Sequence, residues 1–449
     1  MNILSSIPIK SSTDKLFKGL FIRWQLLTQS EKTVGCGIIL IPLWWIFGWG
    51  LMLLAWTVAI VVYELFIHKC IRLSRPSIAV IALITFSVYT CVIYATNSPE
   101  VRPRELIDPL LTWGCGGVLL WYIQSHNIRV RLEVAAWAFS ITICSMLGLW
   151  LFCHFILAEQ HLNPSRTIFA TLTEKGEVYR SNKLGSIGNY LVLYYGEKGL
   201  GGLARYTFFF PHPTVSSFAI GFVGLIALDL KQRYWSLILV AACTFLILIC
   251  QARNAWIALS IVLSIRWLVL YGKKQGLALL LVLFAVGSFS VFSIPSMTNY
   301  ITSTYGNTVQ ATSSFRKEST DTRNKIYQRT LESIVKEPTI LGHGINGASV
   351  QPGYEFAKIG TESFVLGGLL YKSGMLGTSL FLTFFIAFLI WLYRTKTDRP
   401  ACCFLMMLYF TLASLVTEFM LPEIFIMLLC GLLSDPIQKR QRYKVMQSL

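Results

Sequence analysis

Charged residues are scarce in this sequence. They make up 14% of its 449 residues, whereas 54% are hydrophobic, and the mean hydropathy is +0.59. Because about a quarter of the residues in a soluble domain are charged, this composition excludes a soluble globular enzyme. Most of the chain is expected to lie in lipid as a single membrane-embedded bundle.

Several chemical signatures are also missing. We find no P-loop, no Gly-rich dinucleotide fingerprint, no clustered His and Cys, and no DxD pair in the long loops, which disfavours a metal-dependent or nucleotide-driven mechanism. The eleven Cys residues have no CxxC spacing, and most lie in apolar runs, so they are interpreted as small core hydrophobes. The first roughly 30 residues are polar and basic, so no cleavable signal peptide is expected.

Basic residues exceed acidic ones. The 39 Lys and Arg residues against 22 Asp and Glu residues give a net charge of +17. They are scattered singly between apolar runs and form no basic domain with interleaved aromatics. Anionic membrane lipids and positive-inside topology account for the excess, and nucleic acid is not an expected partner.

Apolar runs of roughly 16 to 28 residues predict an all-α, polytopic bundle of about twelve transmembrane spans. The first run is short and is separated from the second only by Gly48, Trp49 and Gly50, so this pair is alternatively one broken or tilted element. The predicted spans are 34–48, 50–67, 76–96, 106–124, 132–157, 208–229, 234–250, 254–271, 276–294, 364–393, 400–417 and 419–434.

Charge asymmetry gives the predicted topology, because short cytoplasmic connections carry a surplus of Lys and Arg. Alternate connections are basic, near residues 69–75, 129–131, 231–233, 266–274 and 394–399. Both termini are basic too, so both are expected in the cytoplasm. The predicted organisation is a cytoplasmic segment 1–33, transmembrane helices 34–157, 208–294 and 364–434, extracytoplasmic segments 158–207 and 295–363, and a cytoplasmic tail 435–449.

Function is expected to concentrate in the two long extracytoplasmic segments. The second contains a helix-like stretch over 322–337, with capping candidates at 319–321 and a stop at Pro338. Its apolar residues share one face, which suits a helix on the membrane surface with Arg323 and Tyr327 one turn apart.

Two arginines are candidate anion ligands. Arg253 interrupts a long apolar run at the predicted outer membrane boundary, where an Arg costs several kcal/mol unless it meets an anion, a carboxylate or water. A neighbouring phosphate is the functional interpretation, and a snorkelling arginine is the alternative. Arg323 lies at the start of the predicted surface helix, where free backbone N–H groups also favour an anion. Its alternative is a solvated surface charge.

Other candidates lie where the loops meet predicted spans. Glu362 precedes a long span at the outer mouth of the bundle, where a carboxylate can accept a proton from a sugar hydroxyl. Alternatively, Thr361 or Ser363 caps that helix and Glu362 complements its dipole. His212, framed by two prolines, is a base, an acceptor ligand or a polar interface residue.

These residues form a pattern that resembles the O-antigen ligase and polymerase family of membrane glycosyltransferases. The stretch Arg253-Asn254-Ala255-Trp256 resembles one family element. A second family element is similar to Arg323-Asn324-Lys325-Ile326-Tyr327 followed by the segment 336–344. The Pro-His-Pro-Thr stretch at 211–214 and the helix 369–377 also resemble parts of the family. The resemblance covers most of residues 205–380.

The resemblance implies a GT-C-like fold and an inverting, metal-independent and cofactor-free glycan transfer. The donor would be an undecaprenyl-pyrophosphate-linked glycan and the acceptor a saccharide or lipid-linked saccharide, on the periplasmic face of the bacterial inner membrane. Arg253 and Arg323 match the family's phosphate-binding arginines, and such a pair in a low-dielectric cleft stabilises a departing pyrophosphate. Glu362 completes the predicted catalytic set, and His212, Tyr327 and Ser363 are predicted to contact substrate.

One position departs from the family pattern. Family members of the lipopolysaccharide-ligase type carry a His before the Gly-x-x-Gly helix, whereas this chain has Thr361-Glu362-Ser363 there. We hypothesise that Glu362 takes over as base, because the attacking hydroxyl must still lose a proton. The departure favours a polymerase or exopolysaccharide enzyme over a strict ligase.

A transporter of a small anion or lipid-linked sugar is the main alternative function. An intramembrane Arg and glycine-rich helices also serve transporters. The sequence shows no internal repeat and concentrates its unusual residues at one face, which favours the glycosyltransferase. A structural scaffold would not need two arginines that match a phosphate site.

Overall fold

The fold is described from a computed structural model. It covers residues 16–19, 21–101, 103–160, 163–172, 189–195, 204–271, 317–351, 357–419 and 421–435. The predicted span 276–294 and residues 295–316 lie outside these residues. So do about half of the predicted segments 1–33 and 158–207 and nearly all of the predicted tail 435–449.

The described residues are mainly helical. The α-helices are α1 Gln29–Ile39, α2 Ile41–Phe47, α3 Gly50–Tyr63, α4 Ile78–Asn97, α5 Pro103–Pro109, α6 Cys115–Ser125, α7 Leu132–Leu151, α8 Ile168–Leu172, α9 Pro213–Leu228, α10 Arg233–Cys250, α11 Arg253–Tyr271, α12 Lys317–Lys336, α13 Gly374–Arg394, α14 Ala401–Ser414 and α15 Leu421–Leu432. Four π-helical stretches extend or join them at Glu64–His68, Leu110–Gly114, Phe152–Ile156 and Phe364–Ser373, and short 3-10 turns lie at Trp24–Leu26 and Lys396–Asp398.

Short two-residue strands form three pairs. Strands β1 Phe17–Lys18 and β2 Phe21–Ile22 are antiparallel, as are β4 Tyr194–Tyr195 and β5 Arg205–Tyr206. Strands β3 Val130–Arg131 and β6 Leu433–Ser434 pair in parallel and tie the start of α7 to the end of α15.

Among the described residues, six helices are long and apolar enough to cross a membrane, or up to seven if a bent pair is one span. They coincide with six of the predicted spans, so the chain is a membrane protein with helical spans. Twelve spans remain a prediction. The six are Gly50–His68, Ile78–Asn97, Leu106–Ser125, Leu132–Ile156, Arg233–Cys250 and Phe364–Arg394.

The first predicted span is a bent pair of helices. α1 and α2 meet at Leu40 with a bend of 60°. Pro42 lies in the first turn of α2 and has no N–H to continue the ladder of α1, which explains the break. α1 begins at Gln29, earlier than the predicted residue 34, because Thr28 and Glu31 form a capping box.

Helix α9 is the centre of the bundle. It packs against α7, α10, α11, α14 and α15, and nearly all of its side chains are buried. α9, α14 and α15 have 10–17 residues and correspond to shorter stretches of the predicted spans 208–229, 400–417 and 419–434. Tyr409 of α14 stacks on Phe218 of α9, with ring centroids 4.4 Å apart.

Ion pairs and caps organise one end of the bundle, here called the basic end. Asp229, after α9, meets Arg266 of α11 at 2.6 Å and accepts the backbone N–H of Cys402 at 2.6 Å. Buried Arg131 forms a bidentate pair with Glu31 at 2.6 and 2.7 Å. Buried Arg399 donates to the last carbonyls of α15. These contacts give partners to charged groups and to backbone groups at helix ends, which would otherwise be buried without any.

The opposite end, here called the site end, contains a broken helix. The π-helix Phe364–Ser373 ends where Gly374 adopts a φ of +62°, and α13 starts there. Residues 340–344 dock into this break, since His343 and Gly344 donate backbone N–H groups to the carbonyls of residues 371 and 372 at 3.0 and 2.9 Å. The His343 ring also stacks on Tyr371, so the glycine-rich segment 342–344 has a structural role.

Replacing Gly342 by Ala is expected to destabilise this docking. A Cβ there would stand 2.4 Å from the Gly374 nitrogen, and the φ of +83° disfavours a side chain. We expect the free energy of unfolding to fall by roughly 2 kcal/mol or more, measured as a lower Tm in detergent. Gly148→Ala is the control, because a Cβ there would meet no described atom within 4 Å beyond its own stretch of helix backbone. Equal Tm values for the two variants would contradict the role of the docking.

Candidate functional site

Arg323 and Glu362 form an ion pair at the site end. The Arg323 Nε lies 3.0 Å from Glu362 Oε2, and each side chain is about one-third exposed (34% and 35%). The sequence singled out both residues for separate reasons, and the structure brings them together. Helix α12 extends back to Lys317, so the predicted start at 322 is wrong. Arg323 therefore lies within the helix, and helix-terminal N–H groups do not explain its position.

Backbone conformation fixes the Glu362 carboxylate. Glu362 has a φ of +70°, which non-glycine residues rarely adopt, and Gly360 has a φ of +85°. The Gly360 N–H donates to Thr330 of α12 at 3.0 Å, and the Phe364 N–H donates to the Thr417 carbonyl at 2.9 Å. The loop that carries Glu362 is therefore held between α12 and the end of α14.

Ser363 caps the π-helix. Its Oγ accepts the N–H of Leu366 at 3.1 Å and donates to the Leu415 carbonyl at 2.7 Å, and the residue is 1% exposed. These contacts agree with the capping alternative for Ser363. Its contact with substrate remains a prediction.

Glu418 is a site residue that the sequence reasoning missed. Its Oε1 accepts the Glu362 backbone N–H at 3.3 Å and lies 3.9 Å from the Lys372 Nζ. Two ion pairs, Arg323 with Glu362 and Lys372 with Glu418, thus lie side by side at the same loop. The sequence feature that points to Glu418 is its position as the single residue between the last two predicted spans.

Tyr327 faces this cluster from α12. Its hydroxyl donates to the Val416 carbonyl at 3.4 Å. Burial raises the pKa of the phenol, Arg323 lowers it, and Glu362 and Glu418 raise it, with a net increase. Tyr327 therefore stays neutral near pH 7 and acts as a hydrogen-bond donor.

Arg253 is the first residue of α11, next to a tight turn after α10. Gln251 in this turn has a φ of +51°, and Trp256 closes it by donating its indole N–H to the Ile247 carbonyl at 3.0 Å. The Trp of the Arg-x-x-Trp stretch is thus structural. Tyr409 of α14 donates to the Ala255 carbonyl at 3.3 Å. Ala255, two residues after Arg253, thus contacts α14 five residues before that helix ends, whereas Tyr327 of the Arg323 cluster contacts Val416, two residues after it ends.

His212 caps α9. Its Nδ1 accepts the N–H of Thr214 at 3.2 Å, and Pro213 occupies the first turn. The preceding aromatic residues are anchored by Trp49, which donates to the Phe209 carbonyl at 2.9 Å and stacks on Phe210. The capping bond favours the structural interpretation of His212, and its contact with substrate remains a prediction.

Glu159 holds strand β5, which leads to His212. Its carboxylate accepts the Tyr206 hydroxyl at 2.9 Å and the Ala204 N–H at 3.1 Å, and it lies 2.9 Å from His154 Nδ1. Burial raises the pKa of Glu159, but the hydrogen bonds from His154, Tyr206 and Ala204 outweigh this and lower it below its usual value.

The lowered pKa of Glu159 predicts that this residue's contribution to the free energy of unfolding depends on pH. The contribution is fully present above the unfolded-state pKa, about 4.3, and is lost as the pH falls through the folded-state pKa. We expect Glu159→Gln to have a lower Tm than the wild type at pH 7, with the difference narrowing below about pH 4.3. The measurement is Tm against pH in detergent, and parallel curves would refute the assignment.

No group of three or more His, Cys, Asp or Glu side chains within the described ranges is arranged to hold a metal ion. The metal independence implied by the family resemblance remains a prediction.

The site segment matches a known family. Residues 237–365 match the family model described as O-antigen ligase. No curated protein matches the chain. The matched segment is less than a third of the chain, and it contains Arg253, Arg323, Tyr327, Glu362 and Ser363, while His212 and Glu418 lie outside it. The match confirms that residues 237–365 of this chain resemble the O-antigen ligase family, as the sequence motifs predicted.

Proposed function

We propose that this protein is a metal-independent, inverting glycosyltransferase. It moves a glycan from an undecaprenyl-pyrophosphate-linked donor to a saccharide acceptor on the extracytoplasmic face of the bacterial inner membrane. The observation that carries the proposal is the Arg323–Glu362 ion pair within the segment that matches the O-antigen ligase family. The pair places the proposed phosphate-binding residue, Arg323, next to the proposed proton acceptor, Glu362.

The reaction assigns separate tasks to the two charges. An acceptor hydroxyl attacks the anomeric carbon of the donor, a new glycosidic bond forms, and the bond to the pyrophosphate oxygen breaks. Glu362 takes the hydroxyl proton, and undecaprenyl pyrophosphate leaves with the bonding electron pair. Arg253 and Arg323 stabilise the charge that develops on that leaving group.

The geometry of Arg323 suits this task. Its Nε is directed at Glu362, and the guanidinium fork has further N–H donors on its two Nη atoms for a phosphate. In this arrangement Glu362 orients Arg323 before the donor binds. When phosphate oxygens share the guanidinium, the carboxylate is less strongly held and becomes a better base.

The proposed topology is supported by the position of the basic connections. Arg131, Lys231, Arg266 and Arg399 cluster in ion pairs and caps at the basic end. Under the positive-inside rule this end faces the cytoplasm. The site end then faces outward, where a lipid-linked glycan donor is polymerised or transferred.

The Arg253→Ala and Arg323→Ala variants test the proposal. With purified protein in lipid, an undecaprenyl-pyrophosphate-linked oligosaccharide and EDTA, we expect the rate of glycan transfer to fall about 100-fold or more in each variant. Arg329→Ala is the matched control on α12, since its side chain is 65% exposed and, among the described residues, pairs with Glu332 at the surface. A ladder of donor-linked chains would identify a polymerase, and a single product shift a ligase. Metal-free transfer that survives both site variants would refute the mechanism.

The Glu362→Gln variant tests the assignment of the base. Gln keeps the size of the side chain but cannot accept the proton, so we expect kcat to fall about 100-fold or more while the KM for donor changes little. The measurement is initial rates against donor concentration, with Tm as a check of folding. Full activity in a well-expressed variant would contradict the assignment.

A further inference from the structure

A β-hairpin precedes α1 at the basic end, and one of its faces packs on the bundle. Residues 16–19 and 21–27 contain this hairpin and the turn after it, and are here called the hairpin segment. The strand register pairs Phe17 with Ile22, so both side chains lie on the same face. Phe17 packs edge to face on Trp235 of α10, with ring centroids 5.7 Å apart, and Ile22 is buried.

Further contacts hold the hairpin segment in place. Leu16 and Leu27 are buried in the core of the bundle. The backbone N–H of Arg23 donates to the Leu16 carbonyl at 2.9 Å, and the Arg131 side chain donates to the Leu26 carbonyl at 3.2 Å. The segment therefore has a fixed position at this end of the bundle.

The other face of the hairpin segment is apolar and exposed. Phe21 is 76% exposed, Trp24 is 39% exposed and Leu26 is 44% exposed. Large apolar side chains grouped in this way on a surface mark a contact with a protein or with a membrane.

Helix α10 favours the membrane as the partner. It is one of the six helices long and apolar enough to cross a bilayer, and its Leu237 and Ile238 are 58% and 71% exposed, as lipid-facing side chains are. Tyr234 and Trp235 lie about 5 Å nearer the start of the helix. That is the level of the headgroups, where Tyr and Trp are enriched. Because Phe17 packs on Trp235, the hairpin segment lies at the same level.

The charge of this surface suits acidic lipids. Arg23 and Arg233 are both exposed, and neither forms an ion pair within the described part of the chain. The Glu31 carboxylate, at the start of α1, is buried and paired with Arg131. The two exposed arginines therefore give the surface a positive charge, which attracts anionic headgroups.

We infer that the hairpin segment docks on the headgroup layer of an acidic bilayer. Phe21, Trp24 and Leu26 enter the boundary between headgroups and acyl chains, and Arg23 and Arg233 bind the phosphate groups of acidic lipids. The occupant is a lipid surface and not a second protein, because the apolar face lies level with the membrane end of α10. Lipid binding here is independent of the proposed glycan transfer.

Photocrosslinking in vesicles tests the position of the hairpin segment. The photoreactive residue benzoylphenylalanine replaces Phe21 in one variant of the full chain, and Phe17 in the matched control on the opposite face. With purified protein in phosphatidylglycerol vesicles, we expect mass spectrometry to find lipid adducts at position 21 and links to α10 at position 17. Equal lipid adducts at both positions, none at position 21, or a link from position 21 to a second copy of the chain would overturn the inference.

Competition between lipids tests the role of charge. In vesicles of equal parts phosphatidylglycerol and phosphatidylcholine, we expect the adducts at position 21 to contain about fivefold more of the acidic lipid. Combining Arg23→Gln with Arg233→Gln is expected to bring this ratio close to one. Arg329→Gln is the control, since that arginine is 65% exposed on α12 and is expected to leave the ratio unchanged.

The ratio of the two lipids decides the outcome. A ratio near one with both arginines present, or an enrichment that survives the loss of both, would refute binding to acidic lipid. Tm values of all variants in detergent establish that they are folded.

Discussion

The close contact between Gly342 and Gly374 is the constraint on which the site depends. Each glycine occupies the space in which the other's Cβ would lie, and neighbouring backbone groups hydrogen-bond across the contact. This docking holds the segment that follows α12 against the break before α13. Because α12 carries Arg323 and the π-helix before the break begins two residues after Glu362, the backbone contact helps to place the ion pair. An ion pair whose side chains are about one-third exposed is too weak to hold its own geometry, so the backbone must position it.

The two ends of the bundle use charge in different ways. At the basic end, cations cap helix ends or pair with buried carboxylates, as Arg399 and Arg131 do. Those contacts are made between residues of the chain itself, and they stabilise the fold. At the site end, Arg323 and Lys372 pair with carboxylates that remain partly exposed. A partly exposed pair can exchange a partner for a ligand at small cost, which is what a binding site requires.

The sequence predicted the elements of this fold better than their contacts. Apolar runs predicted all six of the long membrane helices, because hydrophobic length is a property of consecutive residues. Arg253 was also identified from consecutive residues, because an arginine within an apolar run carries a large free-energy cost. The ion pair of Arg323 with Glu362 could not be predicted, since it depends on a left-handed residue and a docked loop about forty residues away along the chain. Glu418 was not predicted, because its position between two predicted spans does not show which loop it contacts.

The position of Glu362 matters because this chain lacks the His that ligases of the lipopolysaccharide type carry there. A neutral imidazole can accept a proton without a charged partner, whereas a carboxylate beside a departing pyrophosphate would be repelled by it. In this chain the Arg323 guanidinium lies against Glu362, and in the proposed complex it would stand between that carboxylate and the phosphates. The arginine then offsets both negative charges, and a second pair of opposite charges, Glu418 and Lys372, lies beside it. In the proposed mechanism, a guanidinium beside the carboxylate therefore allows a glutamate to occupy the place of a histidine.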